Sequence, residues 1–207
     1  MSSISIIGTG NMARVIGARA VAGGNTVEII SRDAAKAAGL ARELGGGATA
    51  GTDGATPAGD IVILSVPSAT AASVAARYGD ALAGKIIIDI TNAFNSGATG
   101  LTTTDGTSIA QEVAKAAPAS AHVVKAFNAV FGHILAQGGE LDVLFAGDDE
   151  RVKARVSAFI QSLGLRPQDA GPLAMAHSLE HAGLVMMGLG RHSAAGFNFA
   201  LGVNIHG

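Results

Sequence analysis

The chain has 207 residues, 48% hydrophobic and 4% aromatic, with 14 basic against 16 acidic side chains and a formal net charge of −2. That length and apolar content suit one domain with a substantial core, while basic residues scattered through the chain exclude a nucleic-acid surface, which needs a concentrated stripe. The absence of cysteine excludes a disulfide framework, an iron–sulfur cluster and a thiol nucleophile; with no leader pattern and no apolar run near the ~18 residues of a membrane helix, the expectation is a soluble, cytoplasmic protein that spans no membrane.

Ser3-Ile4-Ser5-Ile6-Ile7 reads as a strand and runs into Gly8-Thr9-Gly10-Asn11-Met12-Ala13. Met12, Val15, Ile16 and Ala20 then recur at helical spacing until Gly23-Gly24-Asn25 stops the helix. Residues 26–30 form a β-rich second strand, residues 37–44 a helix closed by three glycines, and residues 48–50 a weak third strand. Residues 60–66 are apolar almost without interruption, the mark of a strand buried on both faces. Pro67-Ser68 opens a helix towards Tyr78, and residues 85–90 give a fifth strand.

Residues 92–107 are polar and glycine-rich and read as a loop. Ser108-Ile109-Ala110-Gln111 fits a capping box. Strands are expected at 122–127, 141–146 and 165–169, with a helix from Asp148-Asp149-Glu150 to Leu163 and a last helix over 173–190. Alternating strands and helices predict an α/β fold: a doubly wound parallel sheet of the Rossmann dinucleotide-binding type, with additional strands and a helix at the C-terminal end, in one domain covering 1–207.

The glycine turn supplies the chemistry. Gly8 permits the tight turn, Gly10 lets the backbone approach a pyrophosphate, and Ala13 keeps the helix close to the strand. The N–H groups near Asn11 and Met12 then face the phosphates at a helix N-terminus. Ser31, Arg32 and Lys36 follow the second strand, where an acid would ordinarily accept the ribose hydroxyls of NAD. A hydroxyl and two cations there favour the 2′-phosphate of NADP(H) instead. The other strand ends, Ser65-Val66-Pro67, Thr91-Asn92 and Ala126-Phe127-Asn128-Ala129, point to the nicotinamide side. Asn92 and Asn128 are read there either as ligands or as loop caps.

Gly8 to Met12, Ser31-Arg32, Lys36, Ser65-Val66-Pro67 and the stretch 164–173 together resemble the NADPH-dependent reductases of the deazaflavin coenzyme F-420. Val123-Val124-Lys125-Ala126-Phe127-Asn128 resembles a related group, the NADPH-binding domains of membrane metalloreductases. The resemblance implies a 2′-phosphate among Thr9, Ser31, Arg32 and Lys36, and a nicotinamide beside Val66, Asn92 and Ala129. It implies direct hydride transfer to a small-molecule acceptor, coenzyme F-420 first, with no indispensable acid–base side chain; catalytic residues are therefore left unassigned. The segment 125–128 is the metalloreductase-like version of a stretch at which the F-420 reductases differ, and the tail from His177 to Gly207 has a pattern of its own, so the acceptor is the least determined part. Other NADPH-dependent reductions (of a carbonyl, imine, quinone or flavin-like molecule) and a non-catalytic NADPH-binding role are the alternatives. The expectation is also that the haem-bearing membrane part of a metalloreductase is not present.

His177-Ser178-Leu179-Glu180-His181 formally matches an inverted zinc-protease motif. The nucleotide-binding pattern around it outweighs that reading, so no metal is assigned. These residues are read instead as part of a subunit contact or the acceptor pocket, with His192 a possible proton donor. Small and apolar residues of the last helix suggest a homodimer. Met175, Met186, Met187, Phe197 and Phe199 are read as packing groups.

Overall fold

The computed structural model describes residues 1–104, 106–204 and 206, so three positions inside the predicted loop and tail (105, 205 and 207) lie outside the described residues. Eight strands form one sheet: β1 (Ser3–Ile7), β2 (Thr26–Ser31), β3 (Thr49–Thr52), β4 (Ile61–Leu64), β5 (Ile86–Asp89), β6 (His122–Ala126), β7 (Asp142–Gly147) and β8 (Arg166–Asp169). Helices α1 (Asn11–Ala22), α2 (Ala34–Leu44), α3 (Ser68–Tyr78), α4 (Ile109–Ala116), α5 (Gly132–Ala136), α6 (Glu150–Ser162) and α7 (Ala176–His192) connect or cover them. The spatial order is β3-β2-β1-β4-β5-β6-β7-β8. The chain winds outward one way from β1 and the other way from β4, so the topological switch lies between those two strands. There Gly8 N–H donates to Ile30 O (2.8 Å) and Ser65 N–H to Ile7 O (2.9 Å), which sets the strand ends level.

Both faces of the sheet are covered, which explains the unbroken apolar runs. Ile4, Ile6, Ile29 and Ile63 pack on one side with Ala13, Ile16 and Ala20 of α1 and Val156 and Phe159 of α6. Ile7, Ile30, Val62 and Ile87 pack on the other with Ala71 and Ala75 of α3 and Ala110 and Val113 of α4. Alanine on the helix faces lets the helices approach closely. Each fully buried isoleucine contributes about 1.5–3 kcal/mol of transfer free energy.

The predicted capping box is present: Ser108 Oγ accepts from Gln111 N–H (3.2 Å) and Gln111 Oε1 from Ser108 N–H (2.9 Å). Asp149 caps α6 through Arg151 and Val152 N–H groups at 2.8 and 3.0 Å.

Four details depart from the sequence reading. The sheet is not wholly parallel: β7 runs antiparallel to β6, with Val124 opposite Gly147 and Ala126 opposite Phe145. The only helix between them, α5, has five residues. Five residues rise about 7.5 Å, too little to carry the chain back across the sheet for a parallel crossover. β8 follows β7 in parallel through the thirteen-residue α6. The sixth strand ends at Ala126, because Phe127 has φ +60°, and the last helix starts at Ala176 after a 3-10 turn at Leu173–Met175. Finally, the loop after β5 carries a small bridge, Phe94 to Leu101.

Candidate functional site

The glycine turn is an open cradle. Gly8 has φ +128°, and a Cβ there would strike the Ser65 carbonyl. Gly10 is different: no heavy atom lies within 4 Å of the place its Cβ would occupy. Asn11 opens α1 with no side-chain cap and no acid in the first turn. Its leading N–H groups therefore have no intrahelical partner and sit at the positive end of the helix dipole, an arrangement that suits a pyrophosphate. Thr9 and Met12 are half-buried and Asn11 is exposed. Gly132 faces Asn11 and Met12 closely, so the turn after β6 adjoins the cradle.

The basic edge lies at the end of β2. Ser31 is half-buried, whereas Arg32 and Lys36 are exposed. Asp33 is occupied as the cap of α2, accepting Lys36 N–H at 3.1 Å, and Ser31 Oγ accepts Asp33 N–H at 3.2 Å. An acid that the sequence reading did not consider stands next door. Ser31 pairs with Thr52, which places Asp53 beside Arg32. Its carboxylate is held by Arg77 at 2.8 and 3.0 Å and by the Tyr78 hydroxyl at 2.9 Å. The hydrogen bonds from Arg77 hold the Asp53 carboxyl below its ordinary range, with smaller help from Tyr78 and from the charges of Arg77 and Arg32. Asp53 is thus neutralised by Arg77, while the Lys36 ammonium lies 3.7 Å from the Asp33 carboxylate, and both Arg32 and Lys36 remain exposed to solvent.

On the other side of the switch, Ser65 and Val66 are half-buried and Pro67 exposed; Pro67 opens α3 without a side-chain cap. Ala129 is buried. The two asparagines bond to each other: Asn92 Nδ2 donates to Asn128 O (2.8 Å) and Asn128 Nδ2 to Asn92 Oδ1 (2.9 Å) and Leu179 O (2.7 Å). The structure therefore uses Asn128 to join the ends of β5 and β6 to α7, the capping role. Gly183 of α7 packs against Asn92 and Phe94.

Beneath this lies a buried ion cluster. Lys125 Nζ donates to Asp89 Oδ2 (2.8 Å), Glu180 Oε1 (2.7 Å) and Thr91 O (2.5 Å). All three of its N–H bonds are occupied, so Lys125 is neither a free acid nor a nucleophile. Burial pushes the Glu180 carboxyl above its ordinary range against the opposing pull of Lys125. Glu180 is the acid of the zinc-protease-like pattern, and here it faces the core rather than a metal. His177 Nδ1 pairs with Thr107 O (2.9 Å) and His181 Nδ1 with His177 O (3.0 Å). Among the described residues, no group of three or more His, Cys, Asp or Glu could hold a metal ion.

The tail closes one wall. Phe131 meets Phe197 and Phe199 edge-on, each at 5.5 Å, and stacks on His133 at 5.7 Å. His133 Nε2 lies 2.9 Å from Phe197 O. Arg191 donates to Gly97 O (2.6 Å) and Ala98 O (3.1 Å), tying the loop after β5 to the end of α7, and His192 is exposed beside it. Of the residues read as packing groups, Met186 is buried and Phe199 half-buried, whereas Met175 and Phe197 are exposed, Phe197 touching Phe131 by one edge; Phe131, His133, Asp89 and the pairing of Glu180 with Lys125 were not singled out. A lone lysine and a lone acid in apolar strands, Val123-Val124-Lys125 and Ile86–Asp89, were the available signal.

Residues 3–93 match the family described as "NADP oxidoreductase coenzyme F420-dependent". Over 180 residues the chain is 31% identical to metalloreductase STEAP3 of Rattus norvegicus, covering 86% of this chain and 35% of that protein. The chain thus spans about a third of that relative's length. Among solved structures, it superposes on a protein of Arthrobacter sp. assigned as an F420-dependent NADP reductase with a TM-score of 0.85, at 23% identity, over 99% of this chain and 100% of that one. Protein SMa0349 of Sinorhizobium meliloti gives 0.75 at 28% identity, over 84% and 87%. An imine reductase of Aspergillus terreus, solved with NADPH4, gives 0.70 at 22%, over 92% and 62%. The resemblance read from the residue motifs is therefore found independently, and the fold is that of NADP-dependent oxidoreductases. Among the described residues, no helix is long and apolar enough to cross a membrane.

Proposed function

We propose, on the premise of an NADP-dependent oxidoreductase domain over residues 3–93, that the whole chain acts as one unit that binds NADP(H) and transfers hydride to a deazaflavin, coenzyme F-420. The observation carrying this reading is the uncapped start of α1 under an open Gly10, with Arg32 and Lys36 exposed at the adjoining strand end. Gly8, Thr9, Gly10, Asn11 and Met12 would hold the pyrophosphate. Ser31, Arg32 and Lys36 would hold the 2′-phosphate. Ser65, Val66, Pro67, Asn92 and Ala129 would border the nicotinamide. The bound nucleotide supplies a hydride; the protein aligns donor and acceptor and excludes water.

A flat acceptor suits the aromatic wall, because Phe131 adjoins Gly132, which touches the first turn of α1. The saturated bonding of Lys125 also favours an acceptor that takes its proton from solvent. The second reading is reduction of a carbonyl, imine, quinone or flavin-like molecule; the exposed His192 at the end of α7 favours it as a proton donor. A homodimer through α7, where Val185 and Leu189 are exposed, and a cytoplasmic setting belong to the same proposal. Following NADPH absorbance with a panel of acceptors tests it. Turnover with the deazaflavin supports the first reading, turnover only with another acceptor the second. NADPH binding with no turnover overturns both in favour of a binding protein.

A further inference from the structure

Lys125, Asp89 and Glu180 are each fully buried, one cation against two acids, on β6, β5 and α7. Their oxygens are not matched equally. Asp89 Oδ2 takes Lys125, and Asp89 Oδ1 takes Thr91 N–H at 3.1 Å. Glu180 Oε1 takes two donors, Lys125 and the N–H of Ile109 (3.0 Å) at the start of α4. Glu180 Oε2 is buried with no donor from the described residues. An ionised carboxylate carries charge on both oxygens, and burying one without a donor is strongly unfavourable. A proton on Oε2 removes the excess charge, and an uncharged hydroxyl costs far less to bury without a partner than a charged oxygen. The histidines on the same helix do not enter the cluster, since His177 Nδ1 pairs with Thr107 O and His181 Nδ1 with His177 O. Among the described residues no other charged side chain bonds to it.

The cluster reaches the nicotinamide side in one step. Leu179, next to Glu180, accepts Asn128 Nδ2 through its carbonyl, and Asn128 is bonded to Asn92. One turn on, Gly183 rests on Asn92 and Phe94. Moving α7 moves all of these together. We propose that Glu180 is a positioning residue: as a neutral acid with its proton on Oε2, it ties α7 to the ends of β5 and β6 and so sets the register of Asn92, Asn128 and Ala129 against the nicotinamide, and with it the alignment of hydride donor and acceptor. The positioning half rests on the NADPH-reductase reading given above; the proton half does not.

The test compares wild type, E180Q and E180A as full chains. Readouts are the carboxyl infrared spectrum, NADPH affinity by calorimetry, emission of the bound nicotinamide, and kcat and KM for the acceptor. Glutamine imitates a neutral acid. The wild type should show a neutral-carboxyl band at neutral pH that E180Q lacks, and E180Q should keep kcat and the NADPH Kd within about threefold. E180A should lose at least roughly tenfold in kcat while the NADPH Kd moves less than about threefold, because the phosphate cradle belongs to β1 and α1. Nicotinamide emission should shift in E180A and not in E180Q, which reads the strand-end register without any turnover. No neutral-carboxyl band, or E180Q as damaged as E180A, overturns the neutral acid. Full kcat and unshifted emission in E180A overturn the positioning role. If E180A does not fold, E180Q against wild type decides the proton, and Glu180→Met, which keeps the volume but offers no hydrogen bond, decides the positioning role by the same kcat and emission readouts. If the wild type binds no NADPH, the functional reading fails, and with it the positioning role, while the infrared band still decides the proton.

Discussion

Replacing Arg32 by alanine removes one cation from the edge assigned to the 2′-phosphate and leaves the pyrophosphate cradle intact. A charge-assisted hydrogen bond contributes about 1.5–3 kcal/mol when sheltered. Arg32 is exposed, and Ser31 and Lys36 remain beside it, so the lower end applies. About 1.5 kcal/mol corresponds to a roughly tenfold rise in Kd for NADPH. NADH lacks the phosphate, and its Kd should move by less than about twofold. Calorimetric titration of wild type and R32A with both nucleotides measures the two changes directly. Raising the salt concentration should weaken NADPH in the wild type more than in R32A, since screening acts on the contact that the variant lacks. Equal losses for NADPH and NADH, or an unchanged NADPH affinity, would refute the assignment of Arg32.

Three further outcomes are expected. Arg77→Ala frees the Asp53 carboxylate beside Arg32 and should weaken NADPH about three- to fivefold without affecting NADH, and adding Asp53→Asn should restore most of the loss in a binding titration. Gly8→Ala forces a side chain into a positive-φ position against the Ser65 carbonyl and should cost more than about 2 kcal/mol in urea unfolding; normal stability would mean that the turn has another shape. Asp142 is raised by burial but lowered further by hydrogen bonds from Arg166, Val203 N–H and Gln168, so its net shift is downward. Its folded pKa lies below its unfolded value of about 3.9, so its contribution is present above that pH and is lost as pH falls through the folded pKa. An acid melting series should therefore show a loss of stability in that range that D142N does not show, and identical acid profiles would rule out Asp142 as the anchor of β8 and the tail.

Much of the first half was readable in the residues themselves. A glycine turn between an apolar run and an amphipathic run has few folded solutions, and the cradle at Gly8 and Gly10 is local in sequence. The cationic edge at Arg32 and Lys36 was legible for the same reason, because strand, turn and helix follow one another directly. Asp53 was not, since its significance depends on a bidentate contact with Arg77, 24 residues away. Asn92 and Asn128 were open between ligand and cap because an asparagine carries the same donors and acceptors in either role. Only the bond from Asn128 Nδ2 to Leu179 O, together with the bonds between the two asparagines, assigns Asn128 to holding α7 against the strand ends. Glu180 was misleading in isolation: its flanking histidines suggest metal ligands on one helical face, whereas burial turns the acid inward to Lys125.

What the amino-acid order determined by itself was the periodicity, the caps and the positive charge at the end of β2, all set by groups within a few residues of one another. The tertiary structure decided the reversal of β7, the closure of the tail on Phe131 and the gathering of Lys125, Asp89 and Glu180. Those depend on groups far apart in the chain, brought together because a buried charge must find a partner and a five-residue helix cannot cross a sheet.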